Sequence, residues 1–116
     1  MVFLEYPRCA TCRKAKKWLD ARQKVYTDRH IVQENPTVEE LKEWQQKSGL
    51  PLKKFFNTSG QLYKQMNLKE KLAGMNEDEQ LELLASNGML VKRPLVLYGN
   101  IVLTGFKEEE WEEKLK

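Results

Sequence analysis

The sequence predicts a mixed α/β fold in two halves, β-α-β and β-β-α, separated by an all-helical insertion. Three observations carry that order. β-Prone runs sit near the two ends of the chain, at Val2–Tyr6, Val25–Val32, Leu95–Tyr98 and Ile101–Thr104. Helical periodicity separates the first two runs and follows the last two. The stretch at about 36–90 carries capped helical patterns instead of strands.

Val2-Phe3-Leu4-Glu5-Tyr6 is a short β-prone run closed by Pro7, and reads as a buried strand. A helical pattern follows from Arg13 to Arg22, with Ala15, Trp18 and Leu19 on one face. The run from Val25 to Val32 alternates enough to form a second strand, parallel to the first across that helix. Asn35-Pro36-Thr37 marks a boundary. Thr37 and Glu40 then form a capping box, opening a helix with Val38, Leu41 and Trp44 inward, and Gly49 with Pro51 ends it. Residues 51–73 read as short helices and loops. Asn76 with Glu79 caps a helix from Glu77 to Asn87, which Gly88 stops. Leu95–Tyr98 and Ile101–Thr104 flank Gly99-Asn100, a two-residue hairpin turn. Phe106 to Leu115 closes the chain as a helix. Trp18, Trp44 and Trp111 all fall on apolar helix faces and are expected in the core. The order is that of a thioredoxin-like domain spanning 1–116, with its insertion at about 36–90.

At 116 residues the chain has the length of one domain, and 41% apolar residues suffice for an ordinary core. The N-terminal apolar run is short and interrupted by Glu5, so neither a signal peptide nor a membrane span is expected, and the predicted location is cytoplasmic. The net charge of +3 is unevenly spread: residues 8–29 hold eight basic side chains against Asp20 and Asp28. No aromatic side chains interleave with those charges as a single-strand platform requires, so direct nucleic-acid binding is not expected. The glutamates from Glu108 to Glu113 read as the solvated face of the last helix.

Two cysteines, Cys9 and Cys12, are the only ones in the chain. In a reducing compartment, a permanent staple closing so short a loop would be unusual. A zinc site needs about four ligands, and beyond the two thiols the sequence offers one histidine, His30, which reads as structural or exposed. No metal is therefore expected. A Cys-x-x-Cys placed between the first strand and the first helix is instead a redox motif. Cys9 falls in the turn, where unpaired helix N–H groups favour an anion, and Arg8, Arg13 and Lys14 lie close in sequence. Cys9 is the expected nucleophile. Cys12, in the first helical turn, is the expected resolving thiol. Lys92-Arg93-Pro94 precedes the hairpin, where a thioredoxin-like fold sets a cis-proline beside the reactive cysteine. Pro94 takes that position, and Arg93 would hold an anionic leaving group or a substrate carboxylate.

The runs Tyr6-Pro7-Arg8-Cys9-Ala10-Thr11-Cys12-Arg13-Lys14-Ala15 and Lys92-Arg93-Pro94-Leu95-Val96, with Gly105-Phe106, resemble the arsenate reductase (ArsC)/Spx/MgsR family over essentially the whole chain. The resemblance implies a thioredoxin-like domain with Cys9 as nucleophile and Arg93 as the anion-holding residue before a cis-proline. Glutaredoxin-linked arsenate reductases of that family clamp the oxyanion with three arginines. Only Arg93 matches here. Asn57 stands at the position of the insertion's arginine, and the last arginine's position falls among Leu103, Thr104 and Gly105. Spx-type regulators use a Cys-x-x-Cys as a disulfide switch and bind the C-terminal domain of the RNA polymerase α subunit. The segment Phe56-Asn57-Thr58-Ser59-Gly60 looks more like the small thiol reductases of the family, which places Asn57, Thr58 and Gly60 near the cleft.

The function expected is a cytoplasmic thiol-disulfide oxidoreductase acting on a small oxidised thiol, a protein disulfide or an oxyanion such as arsenate. Cys9, Cys12 and Arg93 are its catalytic set, and Arg13, Asn57, Thr58, Gly60 and Pro94 its substrate contacts. No bound cofactor is expected; glutathione or another thiol, or a thioredoxin- or glutaredoxin-type protein, would supply electrons. The alternative is a redox-sensing transcription regulator that binds the α subunit of RNA polymerase.

Overall fold

The computed structural model describes residues 1–115. Its strands are β1 (Val2–Glu5), β2 (Thr27–His30), β3 (Leu95–Tyr98) and β4 (Ile101–Thr104). Its α-helices are α1 (Ala10–Ala21), α2 (Val38–Ser48), α3 (Gln61–Gln65), α4 (Leu68–Lys71), α5 (Glu77–Ser86) and α6 (Glu108–Lys114). The strands form one sheet in the order β2-β1-β3-β4. β1 pairs parallel with β2 and antiparallel with β3, and β3 pairs antiparallel with β4. This is the thioredoxin-like arrangement, with α2 to α5 lying between β2 and β3.

Alternation along each strand divides the core in two. Phe3, Val96 and Leu103 face α1 and α6, packing with Ala15, Trp18, Leu19, Trp111 and Leu115. Leu4, Leu95 and Val102 face the opposite way, onto Leu41, Trp44, Phe55, Phe56, Tyr63, Leu68, Leu81 and Leu84 of the helical segments. The three tryptophans are buried, as their helix positions predict. On the first face Trp111 meets Phe3, Trp18 and Phe106 edge to face, the geometry that ring quadrupoles favour.

Both predicted capping boxes form: Thr37 and Asn76 accept from the backbone N–H groups of Glu40 and Glu79, whose side chains reach back. The hairpin turns through Gly99 at φ +60°. Other boundaries differ from the sequence reading. α1 begins at Ala10, three residues before Arg13, because Cys9 is already the extended N-cap. β2 is four residues long and excludes Val25, whose side chain is 90% exposed. β2 is an edge strand, so only its pairing with β1 holds it, and pairing begins at Thr27. α6 starts after Phe106, which packs beside Trp111 from the preceding loop.

Two close approaches join the helical segments to the sheet. A Cβ at Gly88 would lie 2.0 Å from the backbone oxygen of Ile31, just beyond β2, so only glycine lets these segments touch. Farther along, Phe56 bridges to Val91, Lys92 N–H donates to Phe55 O at 2.7 Å, and Asn57 N–H donates to Leu90 O at 2.8 Å. The Asn57 loop is thereby zipped to the segment that enters β3.

Candidate active site

β1 ends at Glu5, and the chain turns through Tyr6-Pro7-Arg8 with Cys9 N–H donating to Tyr6 O at 2.9 Å. The turn sets Cys9 at the N-cap of α1 (φ −82°, ψ 124°), half-buried, while Cys12 one turn later is fully buried. The N-terminal N–H groups of a helix have no intrahelical acceptor and carry partial positive charge. At α2, α5 and α6, acidic side chains occupy that first turn. The first turn of α1 has none. Its positive end is left to Cys9.

The two thiols are driven apart. Burial pushes the Cys9 thiol up, but hydrogen bonds from the Cys12 backbone and side chain, and the Arg93 guanidinium, outweigh it and hold the thiol below its ordinary 9.0. Cys12 is pushed up to about 12, first by burial and then by the neighbouring Cys9 thiolate. The two shifts run in opposite directions, favouring the thiolate at Cys9 and the protonated thiol at Cys12. Both cysteines are free thiols here.

The cation that acts on Cys9 is Arg93. Arg8, Arg13 and Lys14, nearer in sequence, are all exposed. The reason is helical: Cys12, Ala15, Trp18 and Leu19 take the buried face of α1, so Arg13 and Lys14 project to solvent. Arg93 reaches the cleft from the segment before β3, across a cis Arg93–Pro94 peptide bond. Its guanidinium carbon lies 5.1 Å from the Tyr6 ring centroid, and Nη1 donates to Met89 O at 3.4 Å. Its Nε is buried without a hydrogen-bond acceptor among the described residues. A buried donor left unpaired is costly, so an anion entering here meets a group that lacks a partner.

A cavity of about 310 Å³ opens over Cys9, lined among others by Thr11, Asn57, Ser59, Gly60, Lys92, Arg93 and Lys107. Of the residues expected from sequence, the structure brings Cys9, Asn57, Gly60 and Arg93 together around it. Thr58 lines the adjoining groove. Cys12 lies buried beneath Cys9, Pro94 is buried behind Arg93, and Arg13 is not part of the lining. Asn57 is 9% exposed, and Gly60 N–H donates to its backbone oxygen at 3.0 Å. A Cβ at Gly60 would come within 2.6 Å of Asn57 Nδ2, so this glycine makes room for the amide. Thr104, Gly105, Phe106 and Lys107 complete the wall. Gly105 takes φ +77° and donates its N–H to Pro94 O at 2.8 Å, fixing the β4–α6 turn against the Arg93 segment.

Thr11, Ser59, Lys92 and Lys107 were not singled out as site residues by sequence. Lys92 stands next to Arg93, a visible signal; Lys107 carries none, because it reads as one of many charges opening a surface helix. His30 is structural: its Nδ1 accepts from the N–H groups of Val32 and Gln33 at 3.1 Å each, closing the turn after β2. Among the described residues, no three His, Cys, Asp or Glu side chains cluster as a metal site, and no helix is long and apolar enough to cross a membrane.

The same architecture recurs in known proteins. A solved structure of an ArsC family related protein from Bacteroides fragilis superposes with a TM-score of 0.93 at 62% identity, covering 97% of this chain and 94% of that one. The uncharacterized protein YusI of Bacillus subtilis is 59% identical over 113 residues, 97% of this chain and 96% of its own length. The regulatory protein MgsR of the same organism is 34% identical over 110 residues, 95% of this chain and 86% of its own. The ArsC family model matches residues 4–114, with both cysteines and the Arg93 segment inside the match. The chain belongs to the ArsC family.

Proposed function

We propose that the protein is a cytoplasmic thiol-disulfide oxidoreductase, with Cys9 as nucleophile and Cys12 as resolving thiol. The observation that carries this reading is the placement of two free thiols one helical turn apart, Cys9 half-buried at the N-cap in a cavity it shares with Arg93 and Cys12 buried beneath it, with burial and charge shifting Cys9 down and Cys12 up. The Cys9 thiolate attacks one sulfur of a substrate disulfide. A Cys9–substrate bond forms, the substrate S–S bond breaks, and the departing thiolate takes a proton from solvent. That step consumes the Cys9 anion, which is one of the groups raising Cys12. Cys12 then ionises more readily, passes its proton to the second leaving sulfur and attacks Cys9 Sγ. The product is a reduced substrate and a Cys9–Cys12 disulfide, two electrons having moved from protein to substrate. An external thiol pair returns them. Arg93 stabilises each thiolate in turn, since its charge lowers both cysteines.

Arsenate fits the cavity less well. The family resemblance sets the two further arginines of arsenate reductases at Asn57 and among Leu103, Thr104 and Gly105, none of which carries a guanidinium, and Asn57, Thr104 and Gly105 line the cavity. The test is turnover of a small disulfide with a dithiol donor, followed by mass spectrometry of the protein. Cys12→Ser should accumulate a mixed disulfide on Cys9, and Cys9→Ser should form none. One result would overturn this reading in favour of a regulator, the role that the name of its relative MgsR carries. It is wild-type protein that turns over no disulfide yet binds, in stoichiometric amount, the C-terminal domain of the RNA polymerase α subunit.

A further inference from the structure

A second groove of about 340 Å³ adjoins the cavity over Cys9, and the two share Lys92, Thr104 and Lys107 in their walls. The second groove adds Lys53, Lys54 and Thr58. Four lysines from three separate stretches of chain therefore line two adjoining hollows, the first of which opens over Cys9. No acidic side chain lines either part. None of the four lysines has a carboxylate within 4.0 Å among the described residues, whereas Lys16, Arg22, Arg29 and Lys47 elsewhere all do.

The arrangement is also held in place. Lys53 and Lys54 belong to a short 3₁₀ turn at Leu52–Phe55, whose last carbonyl receives the Lys92 N–H at 2.7 Å. The Phe56–Val91 bridge adds a second tie between the same two stretches. Positive side chains concentrated in a groove raise the local potential and gather anions. The combined space is larger than a tetrahedral oxyanion fills, and each part alone reaches the lower end of the roughly 300–1,000 Å³ typical of small-molecule sites.

Resting on the oxidoreductase reading above, we infer that the substrate is a polyanionic low-molecular-weight disulfide. Its scissile sulfur lies between Cys9 and Arg93, and phosphate or multiple carboxylate groups at its far end lie along Lys53, Lys54, Lys92 and Lys107. The Cys9 thiolate bonds to the sulfur of the polyanionic half and the other half leaves as a thiolate. Cys12 then attacks Cys9 Sγ and releases the polyanionic thiol. With the Cys12 proton and one proton from solvent, two thiols leave and the protein retains the Cys9–Cys12 disulfide. A small dithiol reductant restores both cysteines.

The experiment compares kcat/KM for coenzyme A disulfide, glutathione disulfide and uncharged 2-hydroxyethyl disulfide, with a dithiol donor, at low and high salt. The expected preference for a polyanionic substrate over the uncharged one is about tenfold or more at low salt. It should shrink as salt shortens the screening length from about 10 Å at 0.1 M to about 3 Å at 1 M. A lead for coenzyme A disulfide identifies the far groups as phosphates, and a lead for glutathione disulfide identifies them as carboxylates; both support the inference. In Lys53→Glu/Lys54→Glu the preference should fall toward one, and in Lys53→Arg/Lys54→Arg it should persist. Taking the ratio of substrates cancels any general loss of fold or catalysis. Turnover of all three without a charge preference, or a preference that survives the charge reversal, overturns the polyanionic substrate and leaves the oxidoreductase reading intact. Turnover of none overturns both.

Discussion

The cleft has two walls of different origin. One is local: Cys9 and Cys12 sit on a single helical turn, delivered by the four-residue link from β1. The other is assembled from Asn57–Gly60, Lys92–Arg93 and Thr104–Lys107, three stretches far apart in sequence. On the oxidoreductase reading the local wall would carry the chemistry, because the end of one helix supplies both the candidate nucleophile and much of the field that favours its anion. The assembled wall would carry recognition, because only tertiary packing brings its cations and amides to the same place. A local wall survives as long as β1 and α1 are packed, whereas an assembled wall depends on every contact between its segments.

Removing the sulfur breaks the local wall outright. Cys9→Ser should abolish disulfide turnover and the fast alkylation step, with an unchanged circular dichroism spectrum, and residual activity would mean that Cys12 can act as nucleophile. The assembled wall should break at a distance. In Gly88→Ala the new methyl meets Ile31 O, and overpacking of this kind costs about 1–3 kcal/mol or more. Its thermal midpoint should fall by many degrees, and the loss of affinity for substrate should exceed any change in Cys9 reactivity.

Arg93→Ala touches both walls. Losing one charge-assisted hydrogen bond of about 1.5–3 kcal/mol should slow turnover about 10- to 100-fold. The alkylation midpoint of Cys9 should move up, since the guanidinium is one of the groups holding it below 9.0. An unmoved midpoint would leave the Cys12 backbone N–H and thiol responsible for the activation.

The smallest effect concerns Glu5, at the end of the strand that delivers Cys9. Its side chain is 5% exposed, Lys16 Nζ stands 3.6 Å away, and Oε2 has no hydrogen-bond partner among the described residues. Burial and the Asp28 carboxyl push it up from 4.5 to about 7, against the pull of Lys16. The folded protein therefore holds this proton more tightly than the unfolded chain does. The associated stability is complete below pH 4.5 and is lost as pH rises through about 7. Glu5→Gln should be more stable than the parent at pH 8 by about 1–2 kcal/mol, part of the gain being offset by the lost Lys16 attraction. At pH 4 the two proteins should melt alike, and a gain of equal size at both pH values would exclude titration of Glu5 as its cause.

How much was legible in the sequence follows the same division. The strand–Cys-x-x-Cys–helix unit was readable because each of its signals lies within a few residues: apolar alternation, Pro7, the cysteine spacing and the Ala15–Trp18–Leu19 face. Thr37–Glu40 and Asn76–Glu79 were readable for the same reason, since a capping box is closed over three residues. The extent of β2 was not, because pairing with β1 determines where an edge strand begins, and Val25 has the right composition without the partner. Arg13 looked like a site residue by proximity to Cys9. On a helix, proximity along the chain says little about facing: Arg13 is exposed and outside the cavity lining, while Arg93, eighty-four positions from Cys9, lines the cavity with it.

By itself, the sequence determined the order of elements, the Cys-x-x-Cys spacing and its placement at a helix start, all of which depend on interactions spanning about one helical turn or one strand. The tertiary structure alone decided which cation lowers Cys9, that Asn57 and Gly60 share a wall with Lys92 and Lys107, and that two grooves adjoin. Those outcomes depend on close backbone approaches, Gly88 to Ile31, Phe55 to Lys92 and Gly105 to Pro94, whose partners lie too far apart for any local pattern to specify.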